Sequence, residues 1–282
     1  MFGFIEVNRQ HMSIALMCRV YGVTRAGYYA WRSRSPSQRD QENESLSSQI
    51  RQVHQASRGT YGSPRVYRIL QQQGVSVSEN RVAKLMSLLG IKGRWATLRY
   101  TSPNLKKFYG SLPNKQITHP AHVPNQVWVA DITYLKVGAI YRYLAVVMDR
   151  CSRRIIGWAF GQQKNVALTL RALNNAVAKR RPPSGLIFHT DRGIEYYANA
   201  FRARLAQLNI TQSMNRPGMV TDNAFMESFF HSMKADVIHG NKLNEDSQML
   251  SVLRSYIPFY NHSRIHSSLN YVSPATYENR LA

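Results

Sequence analysis

The chain has 282 residues, enough for one sizeable domain with one or two small ones, and its 44% apolar content is ample for real cores, which excludes an unfolded tail protein. Thirty-seven Lys and Arg against 15 Asp and Glu give a net charge of +22, so a polyanion is the natural partner and nucleic acid ranks ahead of a membrane surface or an acidic protein. Two distant cysteines, Cys18 and Cys151, exclude a disulfide framework and a four-ligand zinc site, and no uninterrupted apolar run approaches the roughly 18 residues of a membrane span.

The N-terminus lacks the charged-then-apolar order of a secretory signal, so the protein is expected inside the cell with both thiols buried. Residues 13–34 read as two short helices around Tyr21-Gly22-Val23, with Thr24 as the N-cap before Arg25, Tyr28, Tyr29, Trp31 and Arg32, a helix-turn-helix pattern. The polar stretch 33–48 reads as a linker or exposed helix start. Pro64 then opens a helix containing Arg65, Gly74 stops it, and Ser78 caps another whose Val82, Leu85, Met86 and Leu89 share one face. Arg81 and Lys84 fall on the opposite face, which suits a helix lying along a DNA groove and equally an ordinary solvated helix.

Residues 93–126 have little apolar periodicity. Their bases Arg94, Arg99, Lys106, Lys107 and Lys115 alternate with Trp95, Tyr100, Phe108 and Tyr109, the composition of a connector able to track a phosphate backbone. From Val127 the texture changes. Apolar runs at 127–137, 140–148 and 154–160 predict three consecutive antiparallel strands. A helix at 166–179, a strand at 185–189 and a helix at 198–208 follow, then helices at about 223–238 and 247–260. This βββαβα order indicates a mixed α/β architecture.

Three carboxylates stand out. Asp131 lies inside the first strand, where an unpaired charge is costly, and either an Arg or Lys partner or a metal has to compensate it. Asp191 directly follows the fourth strand, in His189-Thr190-Asp191-Arg192-Gly193, where a turn residue or a functional group fits. Glu227 lies one turn into a helix, where it complements the dipole or serves a site. Together they can converge on one sheet edge as an all-oxygen site suited to Mg²⁺ or Mn²⁺. Two such ions roughly 3.5–4 Å apart assist an in-line displacement at phosphorus.

The residues resemble a known family. Thirty-five residues separate Asp191 from Glu227, the interval of the D,D(35)E signature, and Lys234 follows the glutamate by seven. The segments Trp128-Val129-Ala130-Asp131-Ile132-Thr133-Tyr134, His189-Thr190-Asp191-Arg192-Gly193, Asp222-Asn223-Ala224 through Glu227-Ser228-Phe229-Phe230, Tyr260-Asn261-His262-Ser263-Arg264-Ile265-His266 and Ser273-Pro274 match it too. The chain thus resembles, over nearly its whole length, the DDE transposases of bacterial insertion sequences, in the retroviral-integrase superfamily, and more closely the second-frame product of two-frame elements.

The resemblance implies an RNase H-like catalytic domain with a five-stranded mixed sheet, preceded by small all-α helix-turn-helix units. The expected boundaries are 1–48 for the N-terminal helix-turn-helix-like segment and linker, 49–93 for a second helical DNA-binding unit, 94–122 for a basic linker and 123–282 for the core with its C-terminal helix. It implies that Asp131, Asp191 and Glu227 are the catalytic metal ligands, two ions per site, and that Lys234 contacts DNA near the cut. Arg25, Arg65, Arg81 and Lys84 join the expected DNA contacts, with Arg264 and His266 from the C-terminal motif. Double-stranded DNA and an upstream-frame product, fused or separate, are the implied partners, with at least a dimer on DNA and no membrane. No leucine heptad of that upstream part is present. The implied location is the bacterial cytoplasm, at the nucleoid.

No Gly-rich phosphate loop ending in Lys-Ser/Thr occurs, consistent with chemistry that needs no nucleotide. The expected function is metal-dependent cleavage and 3′-hydroxyl strand transfer at insertion-sequence ends. The competing readings are a non-catalytic DNA-binding regulator of transposition and a general RNase H-like nuclease. His189 reads as a hydrogen-bonded strand end or an orienter of water, and Asn223 as a helix cap or a phosphate contact.

Overall fold

The computed structural model describes residues 1–94, 112–119, 121–217, 219–238 and 241–281. Contacts divide the chain into two compact units, Met1–Gln52 and Val53–Ala282.

The first unit begins with α1 (Phe2–Asn8), α2 (Ile14–Val20) and α3 (Arg25–Ser33) and holds most of α4 (Gln38–Ala56). The first three helices close on Ile5, Met17, Cys18 and Tyr28. Gly27 N donates to Thr24 Oγ1 at 3.0 Å, the expected cap of α3. Gly22, at φ +65°, makes the turn between α2 and α3, a conformation that a Cβ disfavours. The expected linker is largely α4. Its apolar residues are sparse, and the buried Leu46, Ile50 and Val53 recur at helical spacing along an otherwise polar segment.

The second unit starts with α5 (Ser63–Gln72) and α6 (Glu79–Leu88). Val66 and Leu70 of α5 are buried, as are Val82, Leu85 and Met86 of α6. Ser78 Oγ accepts from Arg81 N at 3.3 Å and caps α6, as the sequence predicts. Residues 95–111, which carry the expected linker residues Trp95, Arg99, Tyr100, Lys106, Lys107, Phe108 and Tyr109, lie outside the described residues. The end of that expected linker is anchored: Lys115 N donates to Ser213 Oγ at 2.9 Å, and Gln116 is buried.

A five-stranded mixed sheet follows, as expected, in the order β3-β2-β1-β4-β5. β1 (Val127–Val137), β2 (Ile140–Asp149) and β3 (Ile155–Gly161) are antiparallel neighbours, while β4 (Ile187–Thr190) and β5 (Thr211–Met214) run parallel to β1. The crossovers are α7 (Val166–Arg180), and α8 (Ile194–Tyr197) with α9 (Asn199–Gln207). α10 (Ala224–Met233) continues into a π-helical turn, Lys234–Ile238, before α11 (Asp246–His262) and α12 (Pro274–Asn279).

Strand alternation splits the core. Val127, Val129, Leu135 and Val137 bury one face of β1 with Met226, Phe229 and Met233 of α10 and Leu253, Tyr256 and Tyr260 of α11. Trp128 and Ala130 point the other way, toward Leu168, Ala172, Leu173 and Ala176 of α7 and Phe201 and Leu205 of α9. Each fully buried Phe or Leu contributes about 1.5–3 kcal/mol. α7 lies close on β3 because Gly157 has no side chain: a Cβ there would meet Ala172 O at 2.3 Å. No helix among the described residues is long and apolar enough to cross a membrane.

Candidate active site

Two of the three carboxylates leave the sheet side by side. β1 and β4 pair in parallel register up to Ala130↔Thr190, and the next residue on each strand is Asp131 or Asp191. β4 ends there, so β1 continues with that edge unpaired by a strand. Asp131 Oδ1 accepts from Ile132 N at 2.7 Å and Asp191 Oδ1 from Gly193 N at 3.0 Å. Gly193 permits this fit, since a Cβ would stand 3.0 Å from Asp191 Oδ1 and 2.9 Å from Glu195 Oε2.

Neither aspartate has an ion pair among the described residues. Burial raises the proton affinity of Asp131 well above the usual carboxylate range, and the neighbouring Asp191 charge and, more weakly, Glu227 add to it. Burial also raises Asp191. Lys164, after β3, offsets both, while its Nζ lies 3.6 Å from Glu195 Oε2. Sequence reasoning missed Lys164, because a lysine in a polar loop carries no signal until the fold brings it here. Two partly buried carboxylates short of positive charge form a hard oxygen donor set that fits a divalent cation.

Glu227 sits one turn into α10 and is exposed. Its helix is joined to the aspartates through Asn223, whose buried side chain donates from Nδ2 to Ala130 O at 3.1 Å. Asn223 makes no side-chain cap, so it is a brace from the start of α10 to β1 rather than the expected cap. Among the described residues no three His, Cys, Asp or Glu side chains close around one point. The structure therefore brings Asp131 and Asp191 together and leaves Glu227 farther out.

The loop before α10 is fixed by Asp222, which sequence reasoning did not single out. It pairs with Arg216 at 2.9 Å and accepts from Asn114 Nδ2 at 2.8 Å, and the Arg216 hydrogen bond holds its carboxyl far below the usual range. His189 is buried beneath, its Nδ1 2.8 Å from Ser213 Oγ and its Nε2 2.7 Å from Asn215 Oδ1. Burial pushes its imidazole down to about 4, so it is a neutral strand tie. Lys234 begins the π-helical turn with Nζ 4.6 Å from the Tyr134 ring centroid.

Residues 121–219 and 208–274 match two integrase core domain families, and residues 40–97 match an HTH-like domain family. A 31 kDa protein of insertion element IS600 from Shigella sonnei is 37% identical over 266 residues, 94% of this chain and 98% of that protein. The transposase InsF of insertion sequence IS3A from Escherichia coli K12 is 35% identical over 285 residues, 99% and 98% of the two chains. The chain belongs to the insertion-sequence transposases with an integrase core. The HTLV-2 integrase catalytic core domain, solved in complex with magnesium, has 16% identity and a TM-score of 0.42, covering 55% of this chain and 97% of that one.

In this transposase the expected DNA contacts separate into two groups. Arg25 is exposed at the first residue of α3 and Lys84 is exposed on α6, while Arg65 of α5 and Arg81 of α6 are partly buried. Arg264 and His266 sit differently from the open contacts expected of them. Arg264 is 3% exposed, and its Nε donates to Asp236 Oδ2 at 2.7 Å. His266 lies edge-to-face on Tyr260 at 4.7 Å, and burial, followed by the charges of Arg264, Arg65 and Arg153, pushes it down to about 3. Arg264 thus belongs to the packed interior with its charge taken by Asp236, and His266, partly buried, is held neutral.

Proposed function

We propose that this transposase cuts DNA at the ends of an insertion sequence and joins the released 3′-hydroxyl to target DNA, with Asp131, Asp191 and Glu227 as ligands of Mg²⁺ or Mn²⁺, two ions per site. The observation that carries this reading is the pair of buried aspartates emerging side by side at the Ala130↔Thr190 register, with no ion pair to either among the described residues and the more distant Lys164 offsetting them. When bound, a divalent cation supplies Lewis-acid stabilisation of charge on the phosphate oxygens, and a second one assists the departing oxygen.

The chain's own residues do the positioning. Ile132 N and Gly193 N each hold one carboxylate oxygen, which fixes the rotation of the two acids. Asn223 couples the α10 start to Ala130, so movement of the Glu227 helix is felt beside Asp131. Arg25, Arg65, Arg81, Lys84 and Lys234 are the proposed DNA contacts. We assign double-stranded DNA as partner, an assembly of at least two copies on paired ends, an upstream-frame product as second partner, and the nucleoid of the bacterial cytoplasm as the place of action.

The test is strand joining by the full chain on end-containing DNA with Mg²⁺. Asp131→Ala is expected to lose joining by at least about a thousandfold while retaining the fold and DNA affinity. Joining by Asp131→Ala at the wild-type rate overturns the assignment.

A further inference from the structure

β1 and β2 carry an exposed aromatic corner near the carboxylates that the fold does not use. Tyr141 pairs across the ladder with Lys136, two residues along β1 from Tyr134, so all three share one face. The two tyrosine rings meet at 90° with centroids 5.5 Å apart. Tyr134 is 45% exposed and Tyr141 55%, whereas Leu135 and Val137, on the opposite face, are buried. α7 covers this face of the sheet where Ala145 and Val147 lie, which leaves the hairpin end open.

The corner is held rigidly. Gly138, at φ +56° in the turn, donates from its N to Leu243 O at 2.8 Å. Arg142 Nε donates to both carboxylate oxygens of Asp246, at 2.7 and 2.9 Å. A surface tied down at the turn and along β2 is prepared before any ligand arrives, unlike a mobile solvated hairpin. Cations flank it, with Lys234 Nζ 4.6 Å from the Tyr134 centroid and Lys136 exposed opposite Tyr141.

Aromatic faces stack on any nucleobase, and lysines beside them take the phosphates. A base inside a duplex already spends its faces on its neighbours, so such a corner selects a frayed or unpaired nucleotide. Tyr134 lies three residues after Asp131, and Lys234 joins it from the helix that bears Glu227. We propose that Tyr134 and Tyr141 stack an unpaired base at the DNA end being processed, with Lys234 and Lys136 on the adjoining phosphates. This rests on the transposase reading above.

The experiment is photocross-linking of the full chain, with EDTA present, to insertion-sequence-end DNA carrying 5-iododeoxyuridine either in an unpaired terminal position or in the duplex interior. Cross-links from the terminal position are expected to map to Tyr134 or Tyr141, with at least fivefold fewer from the interior. Tyr141→Ala is expected to weaken binding of the unpaired end about tenfold, and Tyr134→Phe, which keeps a ring, to bind like wild type. DNA retained without a cross-link at either tyrosine overturns the stacking surface alone. So does protection of the corner by a second copy of the chain when no DNA is present. Failure to retain DNA contradicts the transposase reading on which it rests.

Discussion

At the scale of single residues, burial separates groups that a motif places in one list. Arg264 and His266 stand in a basic C-terminal motif, yet one is paired with Asp236 and the other is kept neutral. His266 has a measurable consequence. Its folded pKa of about 3 lies below the ordinary 6.5, so on acidification the unfolded chain takes up the proton first. The stabilising effect of a neutral His266 is fully present above about pH 6.5 and is lost as the pH falls toward 3, at no more than about 1.4 kcal/mol per pH unit. His189 has the same sign, whereas Asp131 and Asp191, whose proton affinity is raised, have the opposite one. Urea unfolding between pH 7 and 4.5 is expected to show a shallower loss of stability for His266→Gln than for wild type. Equal slopes contradict the placement. Sequence could identify the three carboxylates by type and spacing. It could not show that Asp236, 28 positions before Arg264, takes up that guanidinium, because such pairing exists only once α11 has folded back.

At the scale of elements, the π-helical turn after α10 is clamped to α11. Asp236 Oδ2 accepts from Tyr256 Oη at 2.8 Å and from Arg264 Nε at 2.7 Å, and both side chains of the ion pair are only 4% exposed. Arg264→Met strands the carboxylate and is expected to cost about 3–5 kcal/mol in urea unfolding, while adding Asp236→Leu restores much of it. A loss below about 1 kcal/mol from the single change contradicts the clamp. The long elements of the core were legible because their patterns are strong, β1 to β3 as apolar runs with turns between them and α7 and α11 as helical periods, whereas α4, whose apolar residues are sparse, read as a linker. β5 was not placed, since Thr211-Gln212-Ser213-Met214 has no apolar alternation and owes its position to pairing with β4. α1 and α12 were not placed either: each helix is short, and its buried face is set by what it packs against.

At the scale of the whole molecule, the chain carries +22 of net charge, yet Asp131 and Asp191 are buried without an ion pair among the described residues. Asp131 and Asp191 are fixed by strand register, whereas Glu227 arrives on an exposed helix start braced through Asn223 to Ala130. On the proposed function, the fold prepares two of the ligands and leaves the third, Glu227, to be drawn in by metal and DNA. Electron paramagnetic resonance titration of Mn²⁺ into the full chain bound to an insertion-sequence end tests this most directly. Wild-type protein is expected to retain Mn²⁺, with Asp131→Asn and Asp191→Asn each weakening it at least about tenfold and Glu227→Gln weakening it less. Mn²⁺ held as tightly by Asp131→Asn and Asp191→Asn as by wild type contradicts the carboxylate site.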